Sequence, residues 1–330
     1  MRIELERRGR PSHLVAIVSP LLALALTVFF GGIMFALLGK DPVSALYSFF
    51  IEPLLEVWSL HELAVKAAPL ILIGVGLSVC YRSNNWNIGA EGQFIAGAIV
   101  GSILPITFYA WTAPRLRPLM LGMGAIGGAA YAAIPALLKT RFNTNEILTS
   151  LMLTYVAKLV LLYLVVGPWK DPDGYGFPQS RLLTSAASSP HLIPGTRIHV
   201  GVVAALIVVA IGWFLLSKSL LGFKLKVAGQ APRAAAYAGF STKSLTWLSL
   251  LVGGGLAGLA GMFEIAGPIG QLTPALPTGY GFTAIIVAFL GRLNPLGIIA
   301  SGFVLALTYL GGAGAQLSIG VSDKVTRVFQ

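Results

Sequence analysis

The sequence predicts an all-α fold: a polytopic transmembrane bundle of about eight to ten spans, some of them broken or re-entrant. Three observations carry this. The 330 residues are 56% hydrophobic and only 11% charged, where a soluble domain carries about 25% charged residues. Mean hydropathy is +0.81, which is more apolar surface than a water-soluble fold can hide, so lipid must solvate much of the chain. The 39 glycines and 19 prolines fall among apolar runs, where they mark close helix packing and interrupted helices rather than disorder.

Taken in order, residues 1–13 carry Arg2, Arg7, Arg8 and Arg10 and read as a cytoplasmic tail; residues 14–330 then form a single transmembrane domain. The apolar run 14–38 would extend roughly 37 Å at the helical rise per residue. A signal peptide would have an apolar region of about 7–15 residues ending at a small-residue cleavage site. Neither is present, so this run is a retained first span with its N-terminus in the cytoplasm. Residues 40–62, holding Glu52, Glu56 and Glu62, are half apolar and acidic, which suits an interfacial helix on the outer side. Further spans are expected at 63–80, 88–110, 119–138, 147–167, 200–216, 245–267 and 296–312. The apolar piece 282–290 is too short to cross alone and reads as half of a broken helix ended by Gly291 and Asn294-Pro295.

Alternating these spans from a cytoplasmic N-terminus accounts for most of the net charge of +11. The linker 217–244 falls inside with Lys218, Lys224, Lys226, Arg233, Lys243 and no acid, as does the loop with Lys139 and Arg141. The long polar loop 168–199 falls outside with mixed charge, and only Arg115 and Arg117 run against the rule. Basic loops between apolar runs point to the lipid bilayer, not to nucleic acid, as the partner. After Gly320 the chain reads VSDKVTRVFQ with no closing span, which suggests a truncated end.

Reactive chemistry is sparse. Cys80 is the only cysteine, so no intrachain disulfide can form. His13, His61, His191 and His199 lack ligand-like spacing, and neither a metal nor another cofactor is expected. Gly122-x-Gly124-x-x-Gly127 spells a dinucleotide fingerprint but lies in an apolar helix without the flanking strand and acid. Gly39-Lys40-Asp41 lacks the spacing and hydroxyl of a phosphate loop. No catalytic grouping stands out.

The informative residues are polar ones in apolar context. In NNWNIGAEGQFIAGA, Asn84 to Ala98, Asn87, Glu91 and Gln93 sit at the start of a span. An ionisable group in a span marks either a functional site or an internal pairing that fixes helix packing, and the carboxylate alone does not choose. Glu264, in GLAGMFEIAG, is read as packing. In GGGLAGLAG, Gly254 and Gly258 share one face and Ala257 and Gly261 another, the small-xxx-small pattern of close helix contact. In the inner linker, 231–238 is a short helix candidate opened by Gln230-Ala231-Pro232 and closed by Gly239. It reads either as a surface connector or as a docking helix for a soluble partner.

These residues carry a family resemblance. GQAPRAAAYAGF (229–240) resembles the cytoplasmic coupling loop of permease subunits in ATP-binding cassette (ABC) importers of the simple-sugar, branched-chain amino acid and nucleoside class. NIGAEGQ (87–93), FNTNEILTSLML (142–153), GGLAGLAGMFEIAG (254–267) and GFTAIIVAFLGRLNPLG (281–297) are similar to the same family, and the first two are most like its nucleoside branch. The resemblance implies a multi-pass permease of the cell inner or plasma membrane. It pairs with a second homologous permease subunit, a cytoplasmic ABC ATPase and an extracytoplasmic solute-binding protein. It implies that 217–244 is a cytoplasmic coupling loop in which Gly229, Arg233, Ala235 and Gly239 engage the ATPase, and that ATP is hydrolysed by the partner rather than by this chain. Family members usually end with one more span and a basic tail.

Transport by alternating access is then expected, with a nucleoside as the solute. A nucleoside site needs amides or carboxylates for the hydroxyls and aromatic faces for the base. Asn87, Glu91, Gln93, Asn143 and Asn145 are the polar pathway candidates, and Trp86, Phe94 and Phe282 the stacking candidates. A simple-sugar permease and a secondary transporter without an ATPase are the alternatives.

Overall fold

The computed structural model describes residues 13–111 and 113–320; the basic residues of the N-terminal tail and the terminal VSDKVTRVFQ lie outside them. Helices follow in the order α1 (His13–Leu37), α2 (Pro42–Phe50), α3 (Glu52–Leu55), α4 (Val57–Arg82), α5 (Ala90–Thr107), α6 (Leu116–Phe142), α7 (Glu146–Val166), α8 (Val200–Lys218), α9 (Leu220–Gln230), α10 (Pro232–Tyr237), α11 (Thr242–Glu264) continued by a π-helical turn (Ile265–Ile269), α12 (Tyr280–Leu290) and α13 (Pro295–Ile319). Among the described residues seven of these are long and apolar enough to cross a membrane: α4, α5, α6, α7, α8, α11 with its π turn, and α13. The chain is therefore a multi-pass, all-α membrane protein, and each expected span from residue 63 onward has its helix.

Two compact units are present. The larger, Val57–Leu307, is built around α4 and α11. α4 is the most enclosed span, with 89% of its apolar window buried, because α11, α12 and α8 all pack on it. α11 also lies against α5 and α6. The glycine pattern explains how closely. A side-chain carbon at Gly258 would strike the Gly124 carbonyl and the Gly128 backbone, one at Gly254 would strike Ala132 and Gly128, and one at Gly261 would strike the Phe94 carbonyl. Gly254 thus faces α6, Gly261 faces α5, and Gly258 is met by both, by Gly124 and Gly128 of α6 and by Gly97 of α5, so Gly124 belongs to helix packing. In the smaller unit, Phe35 of α1, Ala45 and Phe49 of α2 and Ala315 of α13 form a core, and Gly311 lets α13 meet the Phe49 carbonyl.

Two expectations are corrected. The acidic stretch 40–62 is not one interfacial element: it divides into α2, α3 and the first turns of α4. Glu62 is buried within α4, because its charge is met by Arg197, whose Nη1 lies 3.3 Å away. The linker 217–244 holds two helices where one was expected, α9 preceding α10. α9 was missed because its lysines masked an amphipathic face. Leu225 and Ala228 join Val79, Leu216, Ala235 and Leu245 in a small core, and the Ser219 hydroxyl caps the helix start.

α12 is the broken helix the sequence suggests. Its 11 residues cover only about 16 Å. It stops at Gly291, and Arg292 and Leu293 follow in the left-handed region at φ 56° and 54°, reversing the chain into α13. The Asn294 side chain accepts from the Leu296 N–H, opening α13.

Candidate functional site

α4 ends at Arg82 and α5 does not begin until Ala90, so residues 83–89 form a non-helical stretch inside the bundle. Lipid tolerates such backbone only where protein or water satisfies its polar groups, and here side chains do so. Asn87 and Gln93 pair reciprocally, amide to amide, at 2.8 and 3.0 Å. The Asn87 Oδ1 also takes the Gly89 N–H, and the Tyr81 hydroxyl donates to the Asn87 carbonyl. Asn85 donates to the hydroxyls of Ser83 and Ser249 and accepts from the Lys139 ammonium at 2.9 Å. Lys139 also holds Glu146, which accepts the Trp86 N–H.

Glu91 is fully buried on the first turn of α5. Its carboxylate accepts the Gly279 N–H at 2.9 Å and the Gly281 N–H at 2.6 Å. These are orphan donors at the start of α12, whose own cap, Gly279, has φ 95° and no side chain to satisfy them. Glu91 therefore caps a half-helix from a neighbouring helix, with its negative charge at the positive end of the α12 dipole. Phe94, one turn on, meets Tyr280 edge to face.

The remaining polar candidates are elsewhere. Asn143 is the left-handed C-cap of α6 at φ 53°, and Asn145 is the N-cap of α7, accepting the Ile147 N–H. Both lie on the exposed α6–α7 turn, apart from Glu91. Trp86 stacks on Phe289, which stacks on Tyr81. The structure thus brings together Asn87 with Gln93 and Glu91 with the α12 segment carrying Phe282, and leaves Asn143 and Asn145 apart from them.

Sequence reasoning missed Lys158. It lies in α7, half-buried, with its ammonium 5.7 Å from the Phe282 ring centre and 6.0 Å from that of Tyr155. The signal was available, since an ionisable residue inside an apolar run is the pattern that singled out Glu91.

The linker helices sit at the α4 C-terminal end. A side-chain carbon at Gly229 would strike the Arg82 carbonyl, so α9 rests directly on the turn entering 83–89. Arg82 itself ties that turn to Leu293 and Leu216 through their carbonyls at 3.0 and 3.1 Å. On α10 only Ala235 is buried; Arg233 is exposed, Tyr237 is 97% exposed, and Gly239 turns the chain at φ 77°.

At the opposite end the 168–199 loop is pinned to the bundle. Leu183 and Ser180 donate to the carbonyls of Gly270 and Leu272, and Arg197 reaches Glu62 and the Pro268 carbonyl. Glu264, the acid late in α11, is paired with Lys66 of α4 at 3.6 Å. Arg117, exceptional by charge pattern, donates to the carbonyls of Ala186 and Ser185; its charge clasps this loop. His199 is buried against Gly201, Gly267 and Phe263.

Among the described residues, seven helices able to cross a membrane pack together with a half-helix capped by the buried Glu91, and the exposed helix α10 lies at one end of α4. The chain belongs to the family described as the branched-chain amino acid transport system permease component, whose pattern matches residues 59–329. It is 35% identical to the glucose ABC transporter permease protein TsgB13 of Haloferax volcanii, over 100% of this chain and 90% of that one. It is 28% identical to the guanosine ABC transporter permease protein NupP of Bacillus subtilis, over 97% and 91%. It is 27% identical to the nucleoside ABC transporter permease protein NupB of Lactococcus lactis, over 94% and 88%.

Proposed function

We propose that this chain is the permease subunit of an ABC importer that carries a solute presenting a sugar ring, a nucleoside or a free monosaccharide, across the cell membrane. The observation that carries this is the near full-length likeness to permeases named for glucose, guanosine and nucleosides. A sugar ring is the chemistry those three solutes share. The nucleoside branch, favoured by the NIGAEGQ and FNTNE motifs, is the narrower form of the same reading.

The mechanism is alternating access. A partner ATPase, bound at α10 through Arg233 and the exposed face around Ala235, closes on ATP and moves α9–α10. Gly229 passes that motion to the Arg82 turn, and the stretch 83–89 passes it to Glu91 and α12. This assignment puts the N-terminus and residues 217–244 in the cytoplasm and residues 168–199 outside, where a solute-binding protein delivers its cargo. A second, homologous permease completes the pathway. ATP chemistry stays with the partner; this chain supplies contacts that differ between the inward and outward states, without which nucleotide could shift nothing.

The test is uptake of labelled guanosine, other nucleosides and D-glucose into vesicles holding the whole complex. ATP-dependent accumulation of at least one supports the reading, and competition between the two classes separates them. Accumulation that needs no ATPase and collapses with an uncoupler would replace it with a secondary transporter.

A further inference from the structure

We propose that Lys158, flanked by the rings of Tyr155 and Phe282, is a solute-contacting station midway across the membrane, taking a neutral, oxygen-rich ring. It rests on the transport reading above.

Depth is the first argument. Lys158 follows the start of α7 by 12 residues and precedes its end by 8, so at the helical rise it lies about 18 Å from one end and about 12 Å from the other. A four-carbon stem cannot bring the ammonium to either interface, which removes snorkelling as an explanation. The second argument is the absence of a partner. Among the described residues Lys158 makes neither an ion pair nor a hydrogen bond; its near neighbours are the two ring faces. Its charge bears on the buried Glu91 carboxylate, but that carboxylate's oxygens are taken by Gly279 and Gly281.

A lone ammonium in hydrocarbon is expensive and is retained where water or a ligand reaches it. Tyr155 is 57% exposed and Phe282 half-buried, so the three side chains open on one surface. That composition fits a sugar-bearing solute: three N–H donors for hydroxyl or carbonyl oxygens, and aromatic faces for the ring. Glu91 feels the ammonium's charge without pairing with it, so the site as a whole is not strongly cationic and suits a neutral solute over an anion. A lipid phosphate belongs at the interface, roughly 12 Å of helix away.

The experiment uses the whole complex in nanodiscs and vesicles. Cys80, the only cysteine of this chain, is buried, so with labelling read on this subunit alone the wild type is the unlabelled control. Lys158→Cys is exposed to a membrane-impermeant thiol reagent with and without guanosine or D-glucose. We expect labelling from water, slowed several-fold by the transported solute. Lys158→Met should raise the uptake KM about ten-fold with the complex intact, and Lys158→Arg should restore part of it. A Lys158→Cys thiol that reacts only with an apolar reagent faces lipid or a subunit, and overturns the proposal. So does equal labelling with and without solute, or an unchanged KM in Lys158→Met. Loss of the transport reading looks different: the wild-type complex then shows no ATP-driven uptake of either solute.

Discussion

The Glu91 carboxylate and the Gly281 N–H meet at 2.6 Å although 190 residues separate them in the chain. This contact fastens the half-helix α12 to the first turn of α5. It also explains two glycines, since a side-chain carbon at Gly281 would strike the Glu91 backbone and Gly279 sits at φ 95°. Glu91→Ala would strand two N–H groups away from water, at about 1–3 kcal/mol each. Glu91→Gln keeps an oxygen acceptor but loses the charge. Thermal unfolding of the purified complex should rank wild type above Glu91→Gln and Glu91→Ala lowest. An Ala variant as stable as wild type would show that the cap contributes nothing.

The α6–α11 seam permits a comparison between a packed glycine of α11 and an open one of α6. Gly258→Ala forces a carbon into the α6 backbone, whereas Gly122, on α6, has nothing within 4 Å of the position a side chain would take. Gly258→Ala should lower stability by roughly 1–3 kcal/mol, the usual range for overpacking. Gly122→Ala should be neutral or slightly stabilising, because alanine favours helix. The readout is the melting temperature in detergent. Equal effects at both positions would remove close α6–α11 approach as the reason for the pattern.

Much of this was legible in the sequence, and the failures have physical causes. Apolar runs located the spans, since lipid imposes a length on each, and Gly291 with Asn294-Pro295 located the break after α12. What periodicity does not carry is pairing between distant charges. Glu62 reads as interfacial in the sequence and is buried in the fold, because Arg197, 135 residues away, lies beside it. Lys66 and Glu264 are each opaque alone and become a pair only through the α4–α11 packing. Asn87 and Gln93 were legible as polar residues in a span, but not that their amides close on each other.

The Arg197–Glu62 contact makes an asymmetric prediction. Glu62 is buried while Arg197 is half exposed, so deleting the arginine leaves a carboxylate without its counter-charge, and deleting the carboxylate leaves a cation free to hydrate. Arg197→Met should therefore destabilise more than Glu62→Gln, by roughly 1–3 kcal/mol, below the range for fully buried pairs. The double variant should recover much of that loss. Additive losses in the double-mutant cycle would show no coupling between the two.

His199 supplies a pH dependence. Burial against Phe263, Gly201 and Gly267 pushes its pKa below the ordinary 6.5, opposed by the Arg197 carbonyl, which lies 3.3 Å from Nδ1. The neighbouring His191 acts in the same direction as burial. The folded state thus holds a neutral imidazole while the unfolded chain takes up a proton near its ordinary pKa. This contribution to stability is complete above about pH 6.5 and declines as pH falls below it. The melting temperature of wild type should drop between about pH 7 and pH 5, and His199→Gln should flatten that acid limb. Parallel profiles for the two proteins would exclude His199 as its source.

The α10 surface separates docking from folding. Ala235 is the residue that seats this helix, packed with Val79, Leu216, Leu225, Ala228 and Leu245, while Arg233 and Tyr237 project away from the bundle. Arginine and tyrosine are the side chains that most often anchor an interface, and a short helix laid into a groove presents few others. If α10 transmits force from the partner ATPase, Arg233→Glu and Tyr237→Ala should insert normally and melt as wild type does. They should nonetheless lose most solute-stimulated ATP hydrolysis and retain less ATPase on purification. Ala235→Leu should instead lower the melting temperature, because the extra carbons have no room in the seat. The contrast decides the matter, since a helix that merely joins α9 to α11 would tolerate Arg233→Glu and Tyr237→Ala with hydrolysis and uptake undiminished.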